Sequence, residues 1–275
     1  MTRLACLAVM CAAMLAGVRA QEPVAPSVDP LHKPFDAILD VYVRDGLVYY
    51  RALKLERQRF DQYVQSLAEA KVPPDDRNRQ LAFWVNAYNA FVLRLVIDNY
   101  PIAGRAAMYP RNSIRQVPGS FEKRPFRAAG RTMTLDEIEK NVIVPLGDAR
   151  ALLALGRGAL GGGRLRSEAY TAERVDAQLD AIAREAVDRR ELVFVDRNNG
   201  VLSVNPMFSW REDAFVQYYA DKAAPMFAKR SPLERAVLGL IGPTALRTEL
   251  DFLEQNQFTM QFHDFDWRLN DLTGR

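Results

Sequence analysis

Phe83-Trp-Val-Asn-Ala-Tyr-Asn-Ala-Phe-Val-Leu-Arg-Leu-Val-Ile97 decides the fold. At helical spacing this stretch is apolar around nearly its whole circumference, which places the helix in the centre of a domain and not on its surface. Asp75 or Asp76 is positioned to cap it, and Pro101 disfavours helical dihedrals at Tyr100, so the helix ends near Asn99. Its polar exceptions are informative. Asn86 and Asn89 share one side of the helix, while Arg94 and Asp98 form an i,i+4 pair on another. A buried amide left unpaired costs about 1–3 kcal/mol. Both asparagines must therefore hydrogen-bond, either to neighbouring loops or to a ligand.

On the N-terminal side, Phe35 to Tyr42 reads as a helix, Leu47 to Tyr50 as a short extended run, and Leu55 to Ala68 as an amphipathic helix broken by Pro73-Pro74. On the C-terminal side, Arg124 to Met133 has hairpin character around Ala129-Gly130. Thr134-Leu-Asp-Glu137 is a capping box that opens a helix through Glu139 to Val142. Thr171 is placed to cap a helix with Val175, Leu179, Ile182 and Ala186 on one face. Glu191 to Val195 and Val201 to Val204 flank Asn199-Gly200, the clearest hairpin pattern in the chain. Helices near Arg211 to Tyr219, Leu233 to Ile241 and Thr244 to Leu253 precede an aromatic tail, Phe258 to Asn270. No βαβ rhythm occurs, so the expected class is α+β: a helix-rich single domain, 35–275, with short antiparallel hairpins around a central buried helix.

With 49% hydrophobic residues in 275, the chain can bury a sizeable core. A short basic start, an apolar run from Leu4 to Gly17 and Val18-Arg19-Ala20 read as an export signal cleaved after Ala20, followed by a Pro-rich linker over 21–34. Lys and Arg number 37 against 34 Asp and Glu, and loss of Arg3 and Arg19 with the leader leaves 35 against 34. That near balance gives no electrostatic ground for nucleic-acid binding. No later stretch reads as a membrane span. The only cysteines, Cys6 and Cys11, fall within the leader. The expected product is thus a periplasmic or secreted chain without thiols, stabilised by apolar burial instead of disulfides.

Several patterns resemble catalytic or cofactor motifs without their context. Gly156-Arg-Gly-Ala-Leu-Gly161 matches G-x-G-x-x-G with Asp176 at the expected distance, but no strand precedes it and no helix opens from it. Arg157, Arg164 and Arg166 could instead make this loop an anion-binding nest, against the alternative of a solvated loop. Ser120-Phe-Glu-Lys123 matches S-x-x-K, and Ser203-Val-Asn205 resembles S-x-N. Pro125 denies the first element the helix it requires. With only His32, in the linker, and His263, the chain offers little for zinc, and His263 has no partner identifiable from the sequence. No cofactor or metal is expected.

Leu81-Ala-Phe-Trp-Val-Asn-Ala-Tyr-Asn-Ala90, Ser113-Ile-Arg115, Thr134-Leu-Asp-Glu-Ile-Glu139, Leu165-Arg-Ser-Glu-Ala-Tyr170, Met207-Phe-Ser-Trp210 with Asp213 and Phe215, and Phe265-Asp-Trp-Arg-Leu-Asn270 together resemble the domain of unknown function 547 family. The resemblance covers most of the chain from Phe35 onward and implies no established activity. It also implies a histidine, two cysteines and a proline just before the Leu165 element, where this chain has Leu152, Arg157, Gly162 and Gly163. A further histidine after the Ile-Glu pair is Lys140 here. If relatives work through a thiolate, this member is a pseudoenzyme.

The leading expectation is a cleft that binds an unknown small molecule or protein. Trp84, Asn86, Tyr88, Asn89, Arg115, Trp210, Trp267 and Asn270 are its candidate ligand-binding residues. The bland alternative is that these side chains form a core polar network. A second functional expectation is a carboxylate-dependent hydrolase or transferase with Glu139 and Asp266 as acid and base.

Overall fold

The apolar stretch is a helix, Arg77–Asn99, in which every residue from Leu81 to Leu93 is buried. The computed structural model describes residues 29–186 and 188–273. The expected leader with Cys6 and Cys11, and the linker up to residue 28, lie outside the described residues. In order, the chain forms α1 (Lys33–Tyr42), β1 (Val43–Arg44), β2 (Leu47–Val48), α2 (Tyr50–Leu55), α3 (Gln58–Ser66) and the central helix as α4. There follow β3 (Phe126–Ala128), β4 (Arg131–Met133), α5 (Leu135–Ile138), a π-turn (Glu139–Ile143), α6 (Arg150–Leu153) and α7 (Val175–Glu185). The remainder is β5 (Val193–Asp196), β6 (Val201–Val204), α8 (Met207–Trp210), α9 (Glu212–Tyr219), α10 (Pro232–Ile241), α11 (Arg247–Glu254) and β7 (Thr259–Phe262). The class is helix-rich α+β in a single domain, as expected.

Asp76 is the cap of α4, its carboxylate accepting from the Arg79 N–H at 2.9 Å. The asparagines on this helix fasten loops to it. Asn86 donates to the Tyr170 carbonyl and accepts from the Tyr170 N–H, both at 2.9 Å. Asn89 donates to the Ala154 carbonyl at 3.0 Å and accepts from the Gly156 N–H at 2.8 Å. Arg94 and Asp98 pair as expected and join Arg57, just before α3, and Asp61 within it in a part-exposed ionic cluster, worth little as separate pairs in water. Length and apolarity alone would let α4 cross a bilayer, contrary to the sequence reading. Most of its apolar window is buried inside the domain, as in the core helix of a globular protein.

Three expectations need correction. The expected helix over Leu55 to Ala68 divides into α2 and α3 at Glu56-Arg57. Thr171 does not cap α7 through its hydroxyl, which has no hydrogen-bond partner among the described residues. Its carbonyl instead accepts from the Val175 N–H at 2.7 Å, while its own N–H donates to Gln178 at 3.1 Å. The folded part also starts before Phe35. His32 is 3% exposed, packed against Tyr63 and Phe83 and hydrogen-bonded to the Tyr63 hydroxyl at 2.9 Å.

The two expected hairpins occur as β3–β4 and β5–β6, and a third antiparallel pair, β1–β2, adds to them. The aromatic tail adds β7, which runs parallel to β6 with Val204 opposite Phe262. Beyond β7 the chain lies along the glycine loop, where Leu160 and Gly161 N–H groups donate to the carbonyls of Arg268 and Asp266, each at 2.9 Å. It then reaches β2, where the Val48 N–H donates to the Asn270 carbonyl at 2.8 Å. This route carries Phe265 and Trp267 over the face of the domain to meet Trp210.

Candidate functional site

The capping box of α5 is present: the Glu137 N–H donates to the Thr134 hydroxyl at 3.2 Å, and the Thr134 N–H donates to the Glu137 carboxylate at 2.8 Å. One turn later the helix widens into the π-turn that begins at Glu139, a local irregularity frequent at functional sites. Glu139 is only 2% exposed. Its partner comes from the loop after α6, where Arg157 adopts a left-handed backbone with φ of 45°, a strained geometry for a side chain with a Cβ. Arg157 is 5% exposed and donates through Nη1 and Nη2 to the two Glu139 oxygens at 2.7 and 3.0 Å. Nη1 also donates to the Tyr88 hydroxyl at 3.2 Å. Burial opposes the charge on Arg157, but the Glu139 carboxylate outweighs it and holds the guanidinium pKa above its usual value. Burial likewise raises the Tyr88 hydroxyl, so it is a neutral acceptor for Arg157 at physiological pH.

This pair lines a cavity of about 230 Å³ together with Arg115, Phe121, Glu122, Asp136, Trp210, Arg211 and Trp267. Arg211 donates to Asp136 at 2.7 Å and brings Nε to 3.2 Å from Glu139. Arg115 pairs with Glu122 at 2.5 Å and lies over the rings of Phe121 and Trp267, 5.0 and 4.8 Å from their centroids. Arg157 lies over Trp210 at 5.4 Å. The two indoles are nearly parallel, with centroids 6.1 Å apart at 15°, and Trp210 is 36% exposed. The cavity is therefore walled by flat rings and guanidinium groups, each arginine already matched to a carboxylate.

Of the expected ligand-binding residues, Arg115, Trp210 and Trp267 line this cavity, and Tyr88 stands behind it against Arg157. The others lie elsewhere. Trp84 is buried against Phe83 and donates its indole N–H to Gln80 at 2.8 Å. Asn86 and Asn89 hold loops. Asn270 accepts from the Tyr50 hydroxyl at 2.6 Å and donates to the Gly46 carbonyl at 2.8 Å. Glu139 and Asp266 are not brought together. Asp266 lines a separate hollow with Arg190, Glu191, His263 and Asp264. Burial alone would raise its carboxyl, but hydrogen bonds from Arg268 hold it below the usual carboxylate range.

Sequence reasoning missed Asp136 and Arg211, and it read Arg157 as part of an anion-binding nest or a solvated loop, whereas the residue is buried and paired with Glu139. Asp136 lies inside one quoted motif and Arg211 directly follows another, which was the available clue. The glycine-rich loop serves packing: a Cβ on Gly161 would fall 2.8 Å from the Asp266 nitrogen, and one on Gly163 would fall 2.1 Å from the Leu153 carbonyl oxygen. Asp176, the would-be ribose acid, pairs with Arg150 at 2.6 Å. Ser120 is buried within turns rather than on a helix. His263 does have a partner, the Ser203 hydroxyl at 3.1 Å, and its Nε2 donates to the Glu191 carbonyl at 3.1 Å. Among the described residues no three potential metal-ligating side chains converge.

No curated protein and no solved structure matches this sequence. Residues 75–186, from the residue before the cap of α4 through the end of α7, match the family model described as protein of unknown function, DUF547.

Proposed function

We propose that this chain is an exported protein that binds a small ligand, one with a flat apolar face and a hydrogen-bond acceptor, in the cavity between Trp210, Trp267 and the three arginines. The observation that carries this reading is the Glu139–Arg157 pair, buried yet lining an open cavity. An apolar pair of similar volume would serve a core as well or better, because desolvating two charges costs several kcal/mol per ion by rough estimate. A site for a polar guest gives the pair a use. The π-turn and the left-handed Arg157 support the same reading, since two separate backbone irregularities converge on one point. Guanidinium groups already cover faces of Trp210 and Trp267, which disfavours a cationic guest and favours a neutral or anionic ring.

Titration with benzoate and benzamide, followed by tryptophan fluorescence, tests the proposal. A saturable change with at least one probe, weakened by Arg115→Ala, is expected. No change with either probe, or the same response in the variant, overturns it. Export is the second half of the proposal and is tested by the amino terminus of protein recovered from the exported fraction, expected at Gln21.

A further inference from the structure

A second cavity, of about 220 Å³, lies on the other side of the glycine loop, lined by Ala159, Leu160, Gly163 and Arg164 with Arg189, Glu191 and the β1–β2 turn at Asp45-Gly46. Arg164 is committed there, to Asp45 at 2.8 Å and Glu185 at 3.3 Å. Arg189 is not. It is part-buried, and its Nη2 donates to the Leu160 and Gly162 carbonyls at 3.3 and 3.2 Å. Among the described residues no carboxylate comes within 4.0 Å of it, and no acceptor reaches its Nε or Nη1. Burial lowers its pKa, with the more distant Glu191 only partly offsetting this. A guanidinium does not deprotonate at physiological pH even so. A part-desolvated cation held by two carbonyls, with unused donors beside a cavity, is the arrangement an anion completes.

We infer that Arg189 anchors a second binding site, distinct from the aromatic cavity, for a small oxyanion group: a carboxylate or a phosphate. The two carbonyls fix the guanidinium in place, so little side-chain freedom is lost on binding. Arg164 adds positive potential at the wall, while Asp45, spent on Arg164, and the exposed Glu191 oppose it. The cavity volume limits the guest to a single oxyanion group on a small body. This inference does not rest on the aromatic cavity and survives its failure.

The test is thermal unfolding of the full mature chain with inorganic phosphate, acetate or chloride at matched ionic strength. Phosphate, acetate or both should raise the midpoint saturably beyond chloride, and the one that acts identifies the oxyanion. Arg189→Gln should weaken the apparent affinity at least about tenfold, by loss of a charge-assisted contact. Glu191→Gln should strengthen it about two- to fivefold at low salt, as expected for one exposed charge. Arg115→Ala should leave it unchanged. No response beyond chloride, a response that persists in Arg189→Gln, or one lost in Arg115→Ala overturns the inference. Should Arg189→Gln not fold, an affinity unmoved by Glu191→Gln overturns it equally.

Discussion

Burial of His32 against Tyr63 and Phe83 pushes its imidazole down from the usual 6.5 to about 4, with Asp29 offsetting part of the shift. The folded state therefore keeps a neutral ring at pH values where the unfolded chain binds a proton. The contribution is fully present above pH 6.5 and is lost as pH falls toward 4, a swing of roughly 3 kcal/mol. His32→Gln should flatten that limb of a stability-versus-pH curve measured by urea unfolding. Asn86→Ala should cost about 2–4 kcal/mol in the same assay, because it strands the Tyr170 N–H and carbonyl in the core. The sequence showed that Asn86 and Asn89 needed partners, since four amide hydrogen bonds cannot go unmade inside an apolar helix. It could not name Tyr170, Ala154 or Gly156, because those contacts depend on loops with no period of their own. His32 was misplaced for a similar reason: nearby prolines spoke for a linker, while the pocket between α3 and α4 exists only after folding.

At the scale of elements, the π-turn and the loop after α6 hold one ion pair between them. Arg157→Ala should destabilise by about 3–5 kcal/mol, because the buried Glu139 carboxylate would lose its bidentate partner and retain only Arg211 nearby. Combining Arg157→Met with Glu139→Leu should restore most of that stability in denaturant unfolding while abolishing the fluorescence response to the cavity probes. Retained binding by the double variant would show that the pair only supports the fold. Gly163→Ala should cost about 3 kcal/mol or more, since the added methyl meets the Leu153 carbonyl. Element identity was largely legible: periodicity located α4, α7 and α10, and turn residues located the β3–β4 and β5–β6 hairpins, whereas β1–β2, only two residues a strand, was not read as a hairpin. The parallel β7 was not legible, because the alternation of Thr259–Phe262 is only four residues long and none of the four is fully buried. Its pairing with β6 is set by tertiary docking.

At the scale of the molecule, the absence of cysteine from the described residues leaves apolar burial around α4 as the source of stability. Melting of the mature protein should be indifferent to strong reductant, and a reductant-dependent midpoint would contradict the proposed removal of Cys6 and Cys11. The α+β class followed from hairpin patterns without βαβ rhythm. The site was only half legible: Arg115, Trp210 and Trp267 were among the expected cleft residues, but Asp136, Arg157 and Arg211 were not placed with them, because their ion pairs join distant segments that a single sequence does not bring together.

The glycine loop stands as a shared partition, with Arg157 facing one chamber and Ala159, Leu160, Gly163 and Arg164 facing the other. Occupants on its two sides are bound by reciprocity: whatever factor a ring in the first chamber imposes on the affinity for an oxyanion in the second, the oxyanion must return in full.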